Sequence, residues 1–370
     1  MKRLFIALAI TVLFMLSSCT ADPVIPTYTV TYNANGSTSG VLPVDTTNYI
    51  EGQTVTVLDN TGTLTKSGSS FSSWNTQENG NGSTYTQGLT FAMGNANVTL
   101  YVKWTDLLQI KINAAGDSFM MGDADDGPAP NVSQSISYDF QMSKFEITNA
   151  QFAQFIAEGG YSTQSYWTTN GWTEKTARSW TQPSSWTDAN FNGVNQPVVG
   201  VSWYEAAAFC NWRSVKEGLT PAYDNSGRAN LTANGYRLPT EVEWEYAAAK
   251  GAIGLTERFW AYGNTWDANK VVFNAAKTAS VGSKSPDGDT NQGLADMSSN
   301  AIEWCNDNWQ ANIDIVTGTD RYFFVADTSG HVMRGGAWNF FFEDSICCAS
   351  RDNWNSIERD NYMGFRLARY

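Results

Sequence analysis

From Tyr28 to Trp104 apolar and polar residues alternate with a period of two. Tyr28, Val30 and Tyr32 interleave with Thr27, Thr29 and Thr31; Val55 and Val57 with Thr54 and Thr56; Val98, Leu100, Val102 and Trp104 repeat the pattern. Such alternation predicts half-buried strands, and Asn35-Gly36 and Asn79-Gly80 predict the turns between them. No helical period interrupts them. A domain of about 75 residues needs large anchors, which makes Trp74 a core residue rather than a ligand contact.

After Trp104 the pattern loosens into long irregular stretches with three helix starts. Each carries a capping box, in which a Ser or Thr side chain bonds a backbone N–H and a Glu or Gln three residues on reaches back. The pairs are Thr148 with Gln151, Ser202 with Glu205, and Thr240 with Glu243, and Gly159-Gly160 is a left-handed stop for the first helix. A large α+β domain with few regular elements follows from this pattern. The remaining apolar run, Leu4 to Leu16, sits between Met1-Lys2-Arg3 and Ser17-Ser18-Cys19. A basic start, an apolar core and small residues mark an export signal, and the run is shorter than the ~20 residues that span a bilayer.

Composition narrows the function classes. Charged residues make up 16% and aromatics 14%, with a net charge of -13. An acidic surface repels phosphate backbones, so nucleic acid is not expected as a partner. Beyond Cys19 the cysteines are Cys210, Cys305, Cys347 and Cys348, and their number assigns no disulfide pairing. His331 is the only histidine, which excludes sites built on two or three imidazoles.

Three resemblances extend this reading. Leu16-Ser17-Ser18-Cys19 resembles the lipobox of bacterial lipoproteins, which implies a signal peptide over 1–18, a lipid on Cys19, a tether over 19–27 and a place in the bacterial cell envelope. The pieces Tyr28 to Asn33, Trp74-Asn75-Thr76 and Asn97 to Trp104 resemble the Listeria-Bacteroides repeat, implying a small β-grasp-like spacer over 28–105. Phe119-Met120-Met121-Gly122, Phe145 to Phe152, Gln196 to Trp203 and Gly235 to Tyr246 then come in order. Gly293 to Asn300, Glu303-Trp304, Arg334-Gly335-Gly336-Ala337-Trp338 and Gly364 to Ala368 complete the set. Together they resemble the formylglycine-generating-enzyme (sulfatase-modifying factor) domain over 106–370, which implies a C-type-lectin-like fold.

The fold leaves the activity open, because function lives in a site. The oxidases of that family place two spaced cysteines shortly after the Gly-Gly motif, where this chain reads Trp338 to Ile346 with no thiol; Cys347 and Cys348 follow as neighbours. The iron-dependent relatives need three histidines. Residues 339–363 instead resemble the diversified region of retroelement-encoded variable proteins of the Treponema type: three phenylalanines, then Cys, Asn, Asp, Ser and Tyr with no helical or strand period. In those proteins randomised asparagine codons produce such a mix, while Glu343, Trp354 and Glu358 lie outside it and read as framework or template differences. Exposed aromatics among small polar residues make adaptable contact surfaces. The expected ligand contacts are Phe340, Phe341, Phe342, Ser350, Asp352, Trp354, Asn355, Ser356, Asp360 and Tyr362, with alternation predicting that one or two of the phenylalanines are buried.

The family resemblance also implies a structural calcium at Asp296 and Glu303 with backbone oxygens of Ser299 and Ala301; no other cofactor is required. The expected function is binding of a macromolecular ligand, protein or glycan, by a non-catalytic lipoprotein on the outer membrane facing outward. A formylglycine-generating oxidase using Cys347 or Cys348, and a structural envelope protein, are the alternatives.

Overall fold

The computed structural model describes residues 25–370 except 65, 67, 68, 87, 106, 123–131, 312–317 and 327–329. The export signal and Cys19 therefore lie outside the described residues. No helix among the described residues is long and apolar enough to cross a membrane.

The N-terminal module is all β: β1 (Val30–Asn33), β2 (Thr54–Thr56), β3 (Ser70–Asn75), β4 (Thr84–Tyr85), β5 (Thr90–Ala92) and β6 (Val98–Thr105). The first and last strands run parallel, with Val30 opposite Val98, in a sheet of order β1-β6-β3-β4; β2 and β5 form a second ladder. The period of two is realised in the packing. Val30 and Tyr32 turn inward while Thr31 and Asn33 face out, and Leu100 and Val102 are fully buried. Trp74 is fully buried, edge-on to Tyr32 and Phe71, and its indole N–H donates to the Leu58 carbonyl at 2.9 Å. It is the core anchor the composition predicted.

The larger domain begins with β7 (Gln109–Ile112), β8 (Asp117–Met121), β9 (Val132–Ile136) and β10 (Phe140–Ser143), and continues through α1 (Asn149–Ala157), α2 (Thr169–Ala177), α3 (Trp203–Glu217) and α4 (Glu241–Glu245). Its C-terminal third carries β11 (Ile302–Asn308), β12 (Gly318–Thr319), β13 (His331–Arg334), β14 (Arg351–Trp354), β15 (Met363–Gly364) and β16 (Ala368–Arg369). Three small sheets result, ordered β16-β10-β7, β14-β13-β11-β15 and β12-β9-β8. The architecture is α+β, C-type-lectin-like, with little regular secondary structure.

All three capping boxes form at Thr148, Ser202 and Thr240, each with reciprocal bonds to the residue three positions on. The sequence pattern gave no sign of α2. Thr168 caps it through the Gly171 N–H, but with glycine at that third position no side chain reaches back, and its residues are mostly polar. Between α1 and α3 the core is aromatic: Phe152 stacks on Phe209 at 5.4 Å, and Phe365 meets both edge-on.

The module is fastened to the domain at the end of α3. Glu217, fully buried, accepts from Ser72 of β3, from Thr105 of β6 at 2.7 Å, from Tyr236 at 2.8 Å and from Arg213 at 2.7 Å. Burial pushes its carboxyl up, but Arg213 and the Ser72 and Thr105 hydroxyls outweigh burial and hold it below its usual range.

Candidate functional site

Residues 339–363 leave the central sheet and return to it. They depart after β13 through Gly335 and Gly336, both with positive φ. A Cβ on Gly336 would sit 2.5 Å from Ile346 and 2.7 Å from the Ser345 carbonyl, so only glycine lets the loop fold back this closely. The base of the loop is then pinned. Asn274 and Ala275 donate backbone N–H groups to the carbonyls of Phe340 and Trp338, and the Trp338 ring lies against Phe191. Its indole N–H reaches the Asn361 carbonyl at 3.3 Å, which ties the start of the segment to its end.

Pinning the base leaves the tip outside. Phe340 is half-buried against the core and an aromatic cluster containing Trp260 and Tyr262. Phe341 and Phe342 are 64% and 67% exposed, their ring centroids 4.4 Å apart. One of the three phenylalanines is therefore inward, through the turn of the loop rather than strand alternation. A short 3-10 turn, Glu343–Ile346, then carries the chain back so that Ile346, Cys347 and Cys348 are buried.

The second half of the segment forms β14, antiparallel to β13 with Trp354 opposite His331. Asp352 is half-buried, Asn355 and Asp360 are exposed, and Tyr362 donates its hydroxyl to Asp360 at 3.1 Å. Trp354 is half-buried against the core, 6.4 Å from the Tyr362 ring. Ser350 is half-buried, and its carbonyl accepts from the Arg334 guanidinium at 2.8 Å. Ser356 corrects the sequence expectation. It is buried, its hydroxyl 2.8 Å from His331 Nδ1 and its carbonyl accepting from the Trp203 N–H, so it braces the fold and is no surface contact. His331 itself stacks on Trp203 at 3.9 Å, and burial pushes its imidazole down to about 3. At neutral pH it is an uncharged packing residue.

The domain from 105 to 370 matches the sulfatase-modifying factor enzyme 1-like domain, and residues 28–103 match the Listeria-Bacteroides repeat domain. The chain belongs to the sulfatase-modifying factor enzyme 1-like family. Among curated members, a hercynine oxygenase of Mycolicibacterium smegmatis is 28% identical over 62% of this chain and 52% of its own length; the chain thus spans about half of that relative. The formylglycine-generating enzyme of Mus musculus is 26% identical over 68% of this chain and 72% of its own. Among solved structures, Treponema denticola variable protein 1 is 27% identical with a TM-score of 0.53, covering 70% of this chain and 94% of that one.

Set against its enzyme relatives, this family member keeps its thiols out of reach. Cys210, Cys305, Cys347 and Cys348 are all buried and unpaired with one another. Burial pushes Cys347 up to about 11 and the others well above their usual range, which suppresses the thiolate that nucleophilic or metal chemistry requires.

The residues expected to hold calcium have other partners. Asp296, Ser299 and Asn300 all take positive φ. The Glu303 carboxylate, however, takes Arg366 Nε at 2.7 Å and Nη2 at 2.6 Å, and the Trp244 indole N–H at 2.8 Å. The Ala301 N–H donates to Glu146 at 2.8 Å, and the Ser299 hydroxyl donates to the Val272 carbonyl. A cation at Glu303 would face a buried guanidinium, so these residues do not fit calcium there. Burial, helped by the charges of Asp296 and Glu303, pushes Glu146 well up; burial lifts Asp296 to about 6. Arg366 is the counter-charge the cluster already has. Among the described residues no group of three His, Cys, Asp or Glu is arranged to hold a metal.

Two features were not legible in the sequence: the buried Glu146, which accepts from Asn300 and Ala301, and the cluster behind Phe340. Glu146 stands inside the Phe145 to Phe152 motif, but nothing local marks it as buried. The aromatic run Phe259, Trp260, Tyr262, Trp266 and Phe273, which backs Phe340, was visible as composition but could not be placed beside a segment so distant in sequence.

Proposed function

We propose that this chain is a lipid-anchored protein of the bacterial envelope, held by Cys19 and facing outward, that binds a macromolecular ligand through residues 339–363 without catalysing a reaction on it. The observation that carries this reading is the exposed Phe341–Phe342 pair. Two large apolar side chains held in water by a pinned loop gain nothing for the fold, and such patches mark interaction sites. The buried thiols support a non-catalytic role. The likeness to Treponema denticola variable protein 1 supports a binding role for a face built on the same framework.

The direct test compares wild type with the Phe341→Ser/Phe342→Ser double variant on a panel of purified cell-surface and matrix proteins and glycans. Binding that is seen with wild type and lost in the variant is expected. Equal behaviour of the two, whether both bind or neither does, counts against the reading. Copper-dependent oxidation of a Cys-containing sulfatase peptide, lost in Cys347→Ser or Cys348→Ser, would replace it with an enzyme. Incorporation of labelled palmitate in wild type but not in Cys19→Ala checks the anchor.

A further inference from the structure

The binding segment carries more negative charge to solvent than its composition suggests. It contains five carboxylates, Glu343, Asp344, Asp352, Glu358 and Asp360, and two guanidinium groups, Arg351 and Arg359. Both arginines are turned inward. Arg351 is bound by Glu241 at 2.5 and 2.9 Å and lies 4.4 Å over the Trp309 ring. Arg359 meets Glu205 at 2.9 Å and lies 4.5 Å over Trp180. Neither neutralises the face. Among the described residues no Lys or Arg forms an ion pair with any of the five carboxylates. Asp360 accepts from the Tyr362 hydroxyl at 3.1 Å, and burial first, then the charges of Asp360, Asp352 and Glu358, raise that phenol. Glu343 and Asp344, both exposed, directly follow the two exposed phenylalanines.

We infer that the occupant of this face is a basic, Lys- or Arg-bearing segment of another protein. The inference rests on the binding role proposed above and names the chemistry of its partner. An ammonium or guanidinium group placed over Phe341 or Phe342 gains a cation–π contact, and its aliphatic stem covers the apolar ring. Glu343 and Asp344, exposed and next to the pair in the chain, supply charge complementarity, which steers approach and sets specificity. An anionic glycan or nucleic acid would meet five uncompensated charges of its own sign.

The experiment is selection of a displayed library of random peptides of about a dozen residues on the full wild-type chain, with counter-selection on Phe341→Ser/Phe342→Ser. Both rings are mostly in water, so the variant keeps its fold. Enrichment of peptides rich in Lys or Arg is expected, with binding weakened about tenfold or more by Glu343→Gln/Asp344→Asn and unchanged by the distant Glu51→Gln. Enrichment of acidic or uncharged peptides overturns the basic partner while leaving the binding role intact. Basic peptides that bind all variants equally also overturn it, since they report only the overall charge of -13. No enrichment that depends on the phenylalanine pair overturns both readings.

Discussion

Arg351, in the middle of residues 339–363, is clamped by Glu241 in the first turn of α4, with Nε and Nη2 on the two carboxylate oxygens at 2.5 and 2.9 Å. Glu241 also faces Arg334 at 3.1 Å, and Arg334 in turn bonds the carbonyls of Cys348 and Ser350. A capped helix and a buried ion network thus hold the edge strand from behind, leaving its solvent face free to vary. Replacing Glu241 by Gln leaves the buried Arg351 guanidinium without its carboxylate while Arg334 keeps Glu245, and breaking such a pair costs about 3–5 kcal/mol. Urea unfolding should show that loss, and amide exchange at 351–354 should quicken more than at 302–308. Equal acceleration in both strands would show that the clamp is not local to the edge.

The three capping boxes were legible in the sequence because capping is local: Thr148, Ser202 and Thr240 each find their partner three residues away. Strand alternation in the N-terminal module was legible for the same reason. Ser356 was not, because its burial depends on His331 stacking against Trp203 from another part of the chain. The exposure of Phe341 and Phe342 beside a half-buried Phe340 depends on backbone bonds from Asn274 and Ala275. Residue type in that segment raised the expectation of a contact surface; which atoms reach solvent was decided by distant framework.

Glu217 shows the same limit and gives a second prediction. Its partner Ser72 is 145 residues away, so the fastening of the N-terminal module could not be read from local pattern. Glu217→Ala removes the carboxylate that pairs with buried Arg213 and the hydroxyl contacts of Ser72, Thr105 and Tyr236. A loss of about 3–5 kcal/mol is expected, with scanning calorimetry resolving a separate transition for the module. A single, unsplit transition would show that the remaining contacts suffice to couple the two.

Calcium provides a third test. With Arg366 already against Glu303, adding calcium to chelator-treated protein should leave its melting temperature unchanged, since only a ligand that prefers the folded state raises it. Arg366→Ala should instead destabilise strongly, because it leaves Glu303, Asp296 and Glu146 buried together without a cation. A calcium-dependent rise in the wild-type melting temperature would show that Arg366 yields the site.

The pH dependence of stability should carry a signature of Asp307. This carboxylate is buried in β11 and accepts from the backbone N–H groups of Glu241 and Phe323, each at 2.8 Å. Burial, and then the charge of Glu241, lift it to about 7 from an ordinary 3.8. A carboxyl raised on folding contributes stability that is fully present below the unfolded value and is lost as pH rises through the folded one. Between about pH 4 and 7 the folded state holds a proton that the unfolded state has released, so this group lowers stability by about 1.4 kcal/mol per pH unit. Glu217 and Glu243 act below that window: burial is outweighed there by Arg213 and Arg237, and their contribution is lost only as pH falls through their depressed values. In Asp307→Asn the slope from this site should vanish. The variant should also be less stable at acid pH, because an amide offers one acceptor oxygen where two N–H groups converge. Urea unfolding of both proteins across the window checks this: the gap between them should narrow as pH rises, and parallel curves would mean that Asp307 stays ionised throughout.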